Sequence, residues 1–168
     1  EIGAVNTVVN DGLRLSGFNT DWIGFLEAIR EVVEIRGKRV LILGAGGAAR
    51  GAAYAIKREG GHFTVSSRTF RKAEALARDL GGEAILWEER EEWQGDIIVN
   101  ATPLGSKGES PLSGKIIGPG MVVMDMVYLP RRTPLLEEAE RRGARVVEGL
   151  RMLFFQGVKQ FELWFGGP

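Results

Sequence analysis

Apolar residues along the chain fall into short continuous runs separated by amphipathic or polar segments. Each run is long enough for one strand and is mostly apolar rather than alternating, which is typical of strands buried on both faces of a parallel sheet. The runs are RVLIL, HFTVSS, EAILW, DIIVN, MVVMD and ARVVEG. Helical spacing of apolar residues fills most of the intervals between them. The pattern therefore predicts an α/β fold, a doubly wound parallel sheet of six strands.

Two segments flank this repeating unit. The opening segment, GAVNTVVNDGLRLSGFNTD, has an Asn-Asp-Gly turn between two alternating arms and predicts a hairpin, followed by a helix that begins near DWIGF. The closing segment, LRMLFFQGVKQFELWF, predicts an amphipathic helix. Its pattern alone fits a terminal helix that packs on the sheet. A Gly-, Ser- and Pro-rich stretch, SKGESPLSGKIIGPG, predicts a loop long enough to cover a site.

Composition narrows the classes of partner. The chain has 168 residues, 22 Lys+Arg against 22 Asp+Glu, one His and no Cys, so we expect one domain, no disulfide and no metal site. A net charge of zero gives no electrostatic reason to bind nucleic acid or an anionic membrane. No apolar run approaches the roughly 18 residues of a membrane span. We expect a cytoplasmic protein with a small-molecule partner, and, because residue 1 is Glu, a fragment.

A glycine cluster follows the first strand of the sheet and opens a helix. This is the context of the dinucleotide-binding fingerprint G-x-G-x-x-G/A. In that fingerprint Gly44 permits the tight turn, Gly46 lets the backbone approach a pyrophosphate, and Ala49 allows close packing of helix on strand. A tight turn with only a structural role is the alternative. The predicted cofactor contacts here are Gly44, Ala45, Gly46, Gly47 and Ala48.

The end of the second strand indicates which dinucleotide is bound. NAD-binding proteins usually carry an acidic residue here for the ribose 2′-hydroxyl, whereas this chain has Ser67, Arg68 and Thr69, with Lys72 close behind. Hydroxyls and a guanidinium can hydrogen-bond and neutralise a 2′-phosphate. The segment therefore favours NADP, the alternative being an exposed basic helix start.

Several motifs together make the chain resemble the shikimate dehydrogenase family, in its C-terminal, NADP-binding portion. They occur in the family order along nearly the whole chain and are Ala4-Val5-Asn6-Thr7, Gly17-Phe18-Asn19-Thr20-Asp21, the Gly44–Ala49 loop, Ser67-Arg68-Thr69, Asn100-Ala101-Thr102-Pro103-Leu104-Gly105, Asp125-Met126-Val127-Tyr128 and Gly149-Leu150 with Met152, Leu153 and Gln156. The resemblance implies a Rossmann-type fold and NADPH-dependent reduction of 3-dehydroshikimate to shikimate, in chorismate and aromatic amino acid biosynthesis.

The resemblance also implies a division of the chain. Residues 1–20 would be a remnant of a mostly absent substrate domain together with the hinge, and residues 21–148 would be the NADP-binding domain. Residues 149–168 would form a C-terminal helix that returns toward the substrate domain.

Substrate contacts follow from the same resemblance. It implies that Asn6, Asp21, Tyr128 and Gln156 face the polyol substrate. It also implies that Asp21 is catalytic and pairs with a Lys of the N-terminal domain, a residue that this sequence lacks. The residues alone allow other interpretations: Asp21 as the N-cap of the following helix, Gln156 as a surface amide and Tyr128 as a core aromatic.

The nicotinamide side is implied by the ends of later strands. The resemblance places Asn100, Thr102, Met126 and Gly149 around the nicotinamide ring. Two residues depart from the family motifs. Ser67 stands where the family usually has Asn, and Trp22 stands where it usually has Gly, so that Trp22 either narrows the cleft or packs between domains.

Three alternatives to an NADP-dependent shikimate dehydrogenase stay open. One is a quinate or broader polyol dehydrogenase of the same family that uses NAD, and the basic segment at Arg68 argues against it. Another is the cofactor domain of glutamyl-tRNA reductase, which would not explain Asn6, Asp21 or Gln156. The third is a non-catalytic NADP-binding module. A homodimer, or a fusion to another pathway enzyme, is left open.

Overall fold

The structure of the protein is a computed structural model, and residues 1–166 are described. The elements in chain order are β1 (Thr7–Asn10), β2 (Leu15–Phe18), α1 (Asp21–Arg30), β3 (Arg39–Leu43), α2 (Gly47–Arg58), β4 (His62–Ser66), α3 (Phe70–Leu80), β5 (Glu83–Ile85), β6 (Ile97–Asn100), β7 (Val122–Asp125), α4 (Pro134–Arg141), β8 (Arg145–Glu148) and α5 (Gly149–Phe165). A short 3-10 turn, Glu88–Glu91, lies between β5 and β6.

Within residues 1–166, six parallel strands form one sheet in the spatial order β5-β4-β3-β6-β7-β8. Helices α1, α2 and α3, with the start of α5, cover one face of this sheet around a core that includes Phe25, Ile56 and Leu76. Helix α4 covers the other face, around Leu135 and Leu136. The predicted doubly wound α/β fold is confirmed.

The strand order changes direction between β3 and β6, and there the chain leaves the sheet on opposite sides. The carboxyl ends of the central strands are in register, because Leu43 lies opposite both Ser66 and Asn100. The hydrogen bond from Ala101 N to Leu43 O is 2.8 Å long. In open parallel sheets, ligands bind in the crevice outside this edge. The segments after β3, β4, β6 and β7 all begin there.

The long segment between β6 and β7 contributes to the core. Leu112 and Ile117 are each 4% exposed and pack on the face that α4 covers. The segment has no helix or strand of its own, as the sequence predicts. Its apolar residues nevertheless extend the core.

The hairpin and the last helix lie together beside the sheet. Strands β1 and β2 pair antiparallel in a separate two-stranded sheet. Helix α5 contacts this hairpin, since Trp164 Nε1 donates to Val8 O at 3.0 Å and Gln160 Nε2 donates to Thr7 Oγ1 at 3.0 Å. Large apolar side chains on both elements are exposed, among them Leu13 and Phe161. The predicted division into segments 1–20, 21–148 and 149–168 stays a prediction, and its last two residues, 167 and 168, lie outside the described residues.

Helices α1 and α5 approach each other closely at a glycine. A Cβ at Gly24 would lie 2.7 Å from Met152 O.

Among residues 1–166, the structure contains no helix with the length and hydropathy needed to cross a lipid bilayer.

Candidate functional site

The glycine loop joins the end of β3 to the start of α2 at the sheet's carboxyl edge. Gly44 has φ +105°, and a Cβ there would lie 2.8 Å from Ala101 O, so only glycine allows the two central strands to end this close together. The helical hydrogen bonds of α2 begin with Arg50 N donating to Gly46 O at 3.0 Å. The N–H groups that precede Arg50 in α2 have no partner within the helix, which is the arrangement that lets a helix N-terminus bind an anion.

The space beside Gly46 decides whether this loop has room for the pyrophosphate of a dinucleotide. Gly46 is exposed, and a Cβ added there would meet no atom within 4 Å, so the backbone is bare where a pyrophosphate would approach. The residue has φ −89°, a conformation that every residue type adopts, so glycine is not required by backbone strain. The geometry fits the cofactor role predicted for Gly46, and the loop's unpaired N–H groups supply the donors.

The basic segment lies beside this loop, directly after β4. Gly44 N donates to Ser66 O at 2.8 Å, which holds the end of β4 next to the glycine turn. Ser67 is half-buried, whereas Arg68, Thr69 and Lys72 are exposed. Thr69 occupies the N-cap position of α3, but its side chain makes no capping bond. The segment therefore presents two hydroxyls, two cationic groups and a helix N-terminus to solvent beside the turn.

Three of the four residues predicted to bind substrate, Asn6, Asp21 and Gln156, come together around Thr20. Asn6 Nδ2 donates to Asp21 Oδ1 at 2.8 Å and to Thr20 Oγ1 at 3.0 Å. Thr20 Oγ1 donates to Gln156 Oε1 at 3.2 Å. Asn6 is exposed, and Asp21 and Gln156 are half-buried, so a small polar molecule can reach the cluster. The hairpin, α1 and α5 thus place an amide, a carboxylate and a second amide at one spot.

The structure corrects the N-cap interpretation of Asp21. Helix α1 begins at Asp21, and the N-cap position is Thr20, one residue earlier. The carboxylate of Asp21 accepts a hydrogen bond from Asn6. Asn19 Oδ1 accepts from Trp22 N at 3.3 Å, so the helix start is capped from outside the helix. Asp21 is therefore free for a role other than capping.

Partial burial changes the acidity of Asp21. Desolvation raises the pKa of this carboxyl above its usual value of 3.8, and the hydrogen bond from Asn6 opposes that rise. A carboxyl whose pKa is raised in an accessible cluster is a candidate for proton transfer. Asn6 and Gln156, the other two predicted substrate contacts in the cluster, carry neutral amides, which can donate to and accept from hydroxyl groups.

We expect Asp21→Asn to change the pH dependence of stability. A raised pKa means that the carboxyl favours the folded state below its usual pKa and loses that contribution as pH rises through the raised value. Asn cannot ionise and keeps an oxygen for Asn6. The free energy of unfolding of the variant, relative to the starting protein, should therefore increase from pH 3 to pH 7. Denaturant titrations across this range measure it.

The matched control is Glu27→Gln, which removes an exposed carboxyl from the same helix. A stability difference between Asp21→Asn and the starting protein that stays constant with pH would contradict the assignment.

The nicotinamide-side residues lie where β6 and β7 end. Thr102, Met126, Val127 and Tyr128 contribute to the wall of a cavity of about 420 Å³. Tyr128 is 52% exposed, so it is not a core aromatic. The structure places it at this cavity rather than among the hydrogen-bonded partners of Asp21.

Asn100 differs from the other predicted contacts because the amide nitrogen and oxygen of its side chain are both engaged in hydrogen bonds within the protein. Its amide group donates to Leu104 O at 2.7 Å and to Asp125 Oδ1 at 2.9 Å. Its oxygen accepts from Thr102 N at 3.0 Å and from Thr102 Oγ1 at 2.7 Å. The residue is 0% exposed. Its side chain therefore shapes the loop that carries Thr102.

Gly149 is also an internal contact. It is buried, and a Cβ there would lie 2.6 Å from both Met126 O and Val127 O. Glycine thus lets the start of α5 pack directly against the segment that follows β7.

Close packing brings the Asn6–Asp21–Gln156 cluster and the glycine loop side by side. A Cβ at Gly51, in α2, would lie 3.1 Å from Asp21 Cβ, and a Cβ at Gly47 would lie 3.6 Å from Ala4 Cβ. The carboxylate cluster and the predicted phosphate site are consequently neighbours across one end of α2.

Trp22 packs away from this junction. Its ring meets Tyr54 edge to face, with ring centroids 5.5 Å apart, and the guanidinium of Arg58 lies 5.5 Å from its centroid. Both partners are on α2, so Trp22 stabilises the contact between α1 and α2.

The sequence interpretation missed three polar residues that organise the site: Thr20, Asp125 and Thr133. Each is 0–1% exposed and hydrogen-bonded through its side chain. Asp125 gave a detectable signal, because it is a charged residue in an otherwise apolar strand. Thr20 belongs to one of the family motifs but had been given no role, and Thr133 gave no signal beyond its position before a helix.

A family model and several relatives of this chain are those of shikimate and quinate dehydrogenases. The model of the family "Shikimate / quinate 5-dehydrogenase" matches residues 27–106. A shikimate dehydrogenase (NADP(+)) of Syntrophobacter fumaroxidans is 45% identical over 174 residues, an alignment that covers 99% of this chain and 61% of the relative. The chain therefore spans about three-fifths of that relative's length.

Solved structures match over the same extent. Shikimate 5-dehydrogenase from Thermus thermophilus, in complex with NADP(H) and shikimate, has a TM-score of 0.89 and 41% identity, covering 99% of this chain and 64% of that one. Quinate dehydrogenase from Corynebacterium glutamicum, in complex with NAD, also has a TM-score of 0.89, with 31% identity and coverage of 99% and 64%. Because the two scores are equal, the backbone does not distinguish an NADP site from an NAD site.

Proposed function

The chain belongs to the shikimate/quinate dehydrogenase family, and we propose that it is the cofactor-binding part of an NADP-dependent shikimate dehydrogenase, which reduces 3-dehydroshikimate to shikimate. The observation that carries this proposal is the position of Arg68 and its neighbours beside the bare glycine loop. An acidic residue at that point would repel a 2′-phosphate, whereas this chain offers hydroxyls and cationic groups.

Each predicted cofactor residue has a separate task in this proposal. The backbone from Gly44 to Ala48 holds the pyrophosphate at the start of α2. Ser67, Arg68, Thr69 and Lys72 bind the 2′-phosphate and the adenosine ribose. Thr102 and Met126 line the space for the nicotinamide, and Asn100 and Gly149 support the segments that carry them.

The substrate side is proposed on the hydrogen-bonded cluster. Asn6 and Gln156 donate to and accept from hydroxyl groups of the polyol, and Tyr128 lies at the neighbouring cavity. The carboxylate of Asp21 assists proton transfer at the reacting oxygen of the substrate. Bound NADPH would supply the hydride to the ketone carbon of the substrate.

We expect Arg68→Ala to remove most of the preference for NADPH over NADH. Losing one hydrogen bond to a charged group costs about 1.5–3 kcal/mol, which corresponds to about ten- to a hundredfold in affinity. Calorimetric titration of the 168-residue chain with NADPH and with NADH, at one salt concentration, measures the preference before and after the substitution.

Arg78→Ala is the matched control, since Arg78 is exposed in the last turn of α3, the helix that follows Arg68. The control should keep the preference. Equal affinities for NADPH and NADH in the starting chain would refute the NADP assignment and favour an NAD-dependent quinate dehydrogenase. Binding of NADPH without shikimate-dependent turnover in the complete protein would favour a non-catalytic module.

The arrangement of the complete protein also remains a proposal. The exposed apolar side chains of the hairpin and α5 support a substrate domain that covers residues 1–20 and the last helix. A cytoplasmic location and a homodimer, or a fusion to another pathway enzyme, stay predictions.

A further inference from the structure

A buried carboxylate lies beneath the nicotinamide side of the site. Asp125, the last residue of β7, is 0% exposed and has three hydrogen-bond donors around it. Asn100 Nδ2 and Val127 N donate to its Oδ1 at 2.9 and 3.0 Å. Thr133 Oγ1 donates to its Oδ2 at 2.7 Å. The bonds from Asn100 and Thr133 join Asp125 to β6 and to the start of α4, and the bond from Val127 holds the loop that follows Asp125 itself.

Two of these three donors lie in or directly before the segments that line the cavity, and the third lies at the start of α4. Asn100 ends β6, Val127 begins the loop after β7, and Thr133 is the N-cap of α4, where its side chain also accepts from Leu136 N. The loop after β6 packs on the same group, because a Cβ at Gly105 would lie 3.4 Å from Asp125 Oδ2. Asp125 is therefore the common partner of two strand ends and a helix start.

One of the three donors, Val127, lines the 420 Å³ cavity, and a second, Asn100, holds another lining residue, Thr102. Asn100 accepts from both the backbone and the hydroxyl of Thr102, and Asp125 accepts from the backbone of Val127. Thr102 follows β6 and Val127 follows β7, and both line that cavity. Strands β6 and β7 pair with Asn100 opposite Asp125, and the side-chain bond between these two residues links the loops that begin just beyond the pairing.

We propose that Asp125 is a positioning residue for the nicotinamide end of the cofactor site, acting through Asn100, Thr133 and the backbone of Val127. This inference rests on the proposed function, because it presumes that the cavity receives the nicotinamide half of NADPH. Asp125 touches neither cofactor nor substrate in this arrangement. Its carboxylate links the two loops that line the cavity, beyond the point at which β6 and β7 pair.

The choice of a carboxylate supports a role beyond packing. Burial raises the pKa of Asp125, and the bonds from Thr133, Val127 and Asn100 oppose the rise. An ionised group is expensive to bury, and apolar residues of similar volume often serve stability equally well. A carboxylate, in contrast, accepts from three donors at once and so fixes three segments in one geometry.

The test compares the whole cofactor with its adenosine half. Asp125→Asn keeps the shape but turns one acceptor oxygen into a donor, so the side chain can no longer accept from all three donors, and the bond that Thr133 donates must be lost or reversed. The probes are NADPH, which reaches the nicotinamide cavity, and adenosine 2′,5′-bisphosphate, which does not. We expect NADPH to bind about tenfold more weakly to the variant, and adenosine 2′,5′-bisphosphate to bind within about twofold of its starting affinity.

A second pair of variants covers the case in which Asp125→Asn does not fold. Thr133→Val removes the hydroxyl that donates to Asp125, whereas Thr133→Ser retains it. Thr133→Val should weaken NADPH binding selectively, and Thr133→Ser should restore it. Equal weakening of both probes, or no change in either, would overturn the positioning role. A starting chain that binds neither probe would instead refute the proposed function.

Discussion

Replacing Gly46 with valine should abolish NADPH binding by the 168-residue chain while leaving it folded. The backbone at Gly46 has φ −89° and open space where a Cβ would point, so the protein itself accepts a side chain. The same space is where the pyrophosphate must approach the N–H groups that open α2. A branched side chain would exclude it. We expect affinity to fall by about a hundredfold or more, at least about 2.8 kcal/mol, in a calorimetric titration.

Gly118→Val provides the control for this substitution. A Cβ at Gly118 also meets nothing within 4 Å, and the residue precedes β7, at the opposite edge of the sheet from the glycine loop. This variant should bind NADPH as the starting chain does. Thermal melts of both variants should resemble that of the starting chain. A folded Gly46→Val that binds NADPH normally would show that the loop does not hold the phosphates.

Asp21→Asn should cost the complete enzyme about 10² to 10⁴ in turnover, the range that a positioned acid–base group supplies. Here the complete enzyme means this chain together with the residues that make up the remaining length of its relatives. Asn keeps the hydrogen bond from Asn6 and the start of α1, so the fold and NADPH binding should be unchanged. The measurement is the turnover number for NADP⁺ reduction with shikimate.

Glu27→Gln serves again as the control on the same helix and should retain full turnover. If Asp21→Asn matched it, the carboxylate would have no part in proton transfer, and the interpretation of Asp21 as catalytic would be wrong.

The sheet could be predicted because its information is local. Each apolar run has strand length, and most segments between the runs have helical spacing, so all six parallel strands could be predicted at their observed places. The glycine loop and the basic segment after β4 could be predicted for the same reason. Each is recognised by its position between a strand and a helix that follow one another directly in the chain.

The hydrogen-bonded clusters could be predicted only in part, because their contacts are distant in sequence. Thr20 is 136 residues from Gln156, and Asn100 is 25 residues from Asp125. Motifs suggested Asn6, Asp21 and Gln156 as partners, but nothing local indicated Thr20 as the residue that joins them. The N-cap interpretation of Asp21 was wrong for a related reason. Thr and Asp are both good caps, and the tertiary contact with Asn6 engages the Asp21 carboxylate.

Asn100 shows how burial changes the interpretation of a motif residue. From sequence it was expected to touch the cofactor, and its position at the end of β6 agrees with that. Its four hydrogen bonds within the protein leave no group free for a ligand. Only the folded structure reveals that the residue supports Thr102 and meets a buried carboxylate.

The central claim is that this chain supplies the NADP site, but only part of the catalytic site, of a shikimate dehydrogenase. The most direct measurement is the absorbance of NADPH formed from NADP⁺ and shikimate, recorded for the 168-residue chain and for the complete protein at equal concentration. We expect the complete protein to reduce NADP⁺ when shikimate is added, and much faster than it reduces NAD⁺. The chain alone should bind NADPH and form none. Robust turnover by the chain alone, or a complete protein that is inactive with shikimate and NADP⁺, would contradict the claim.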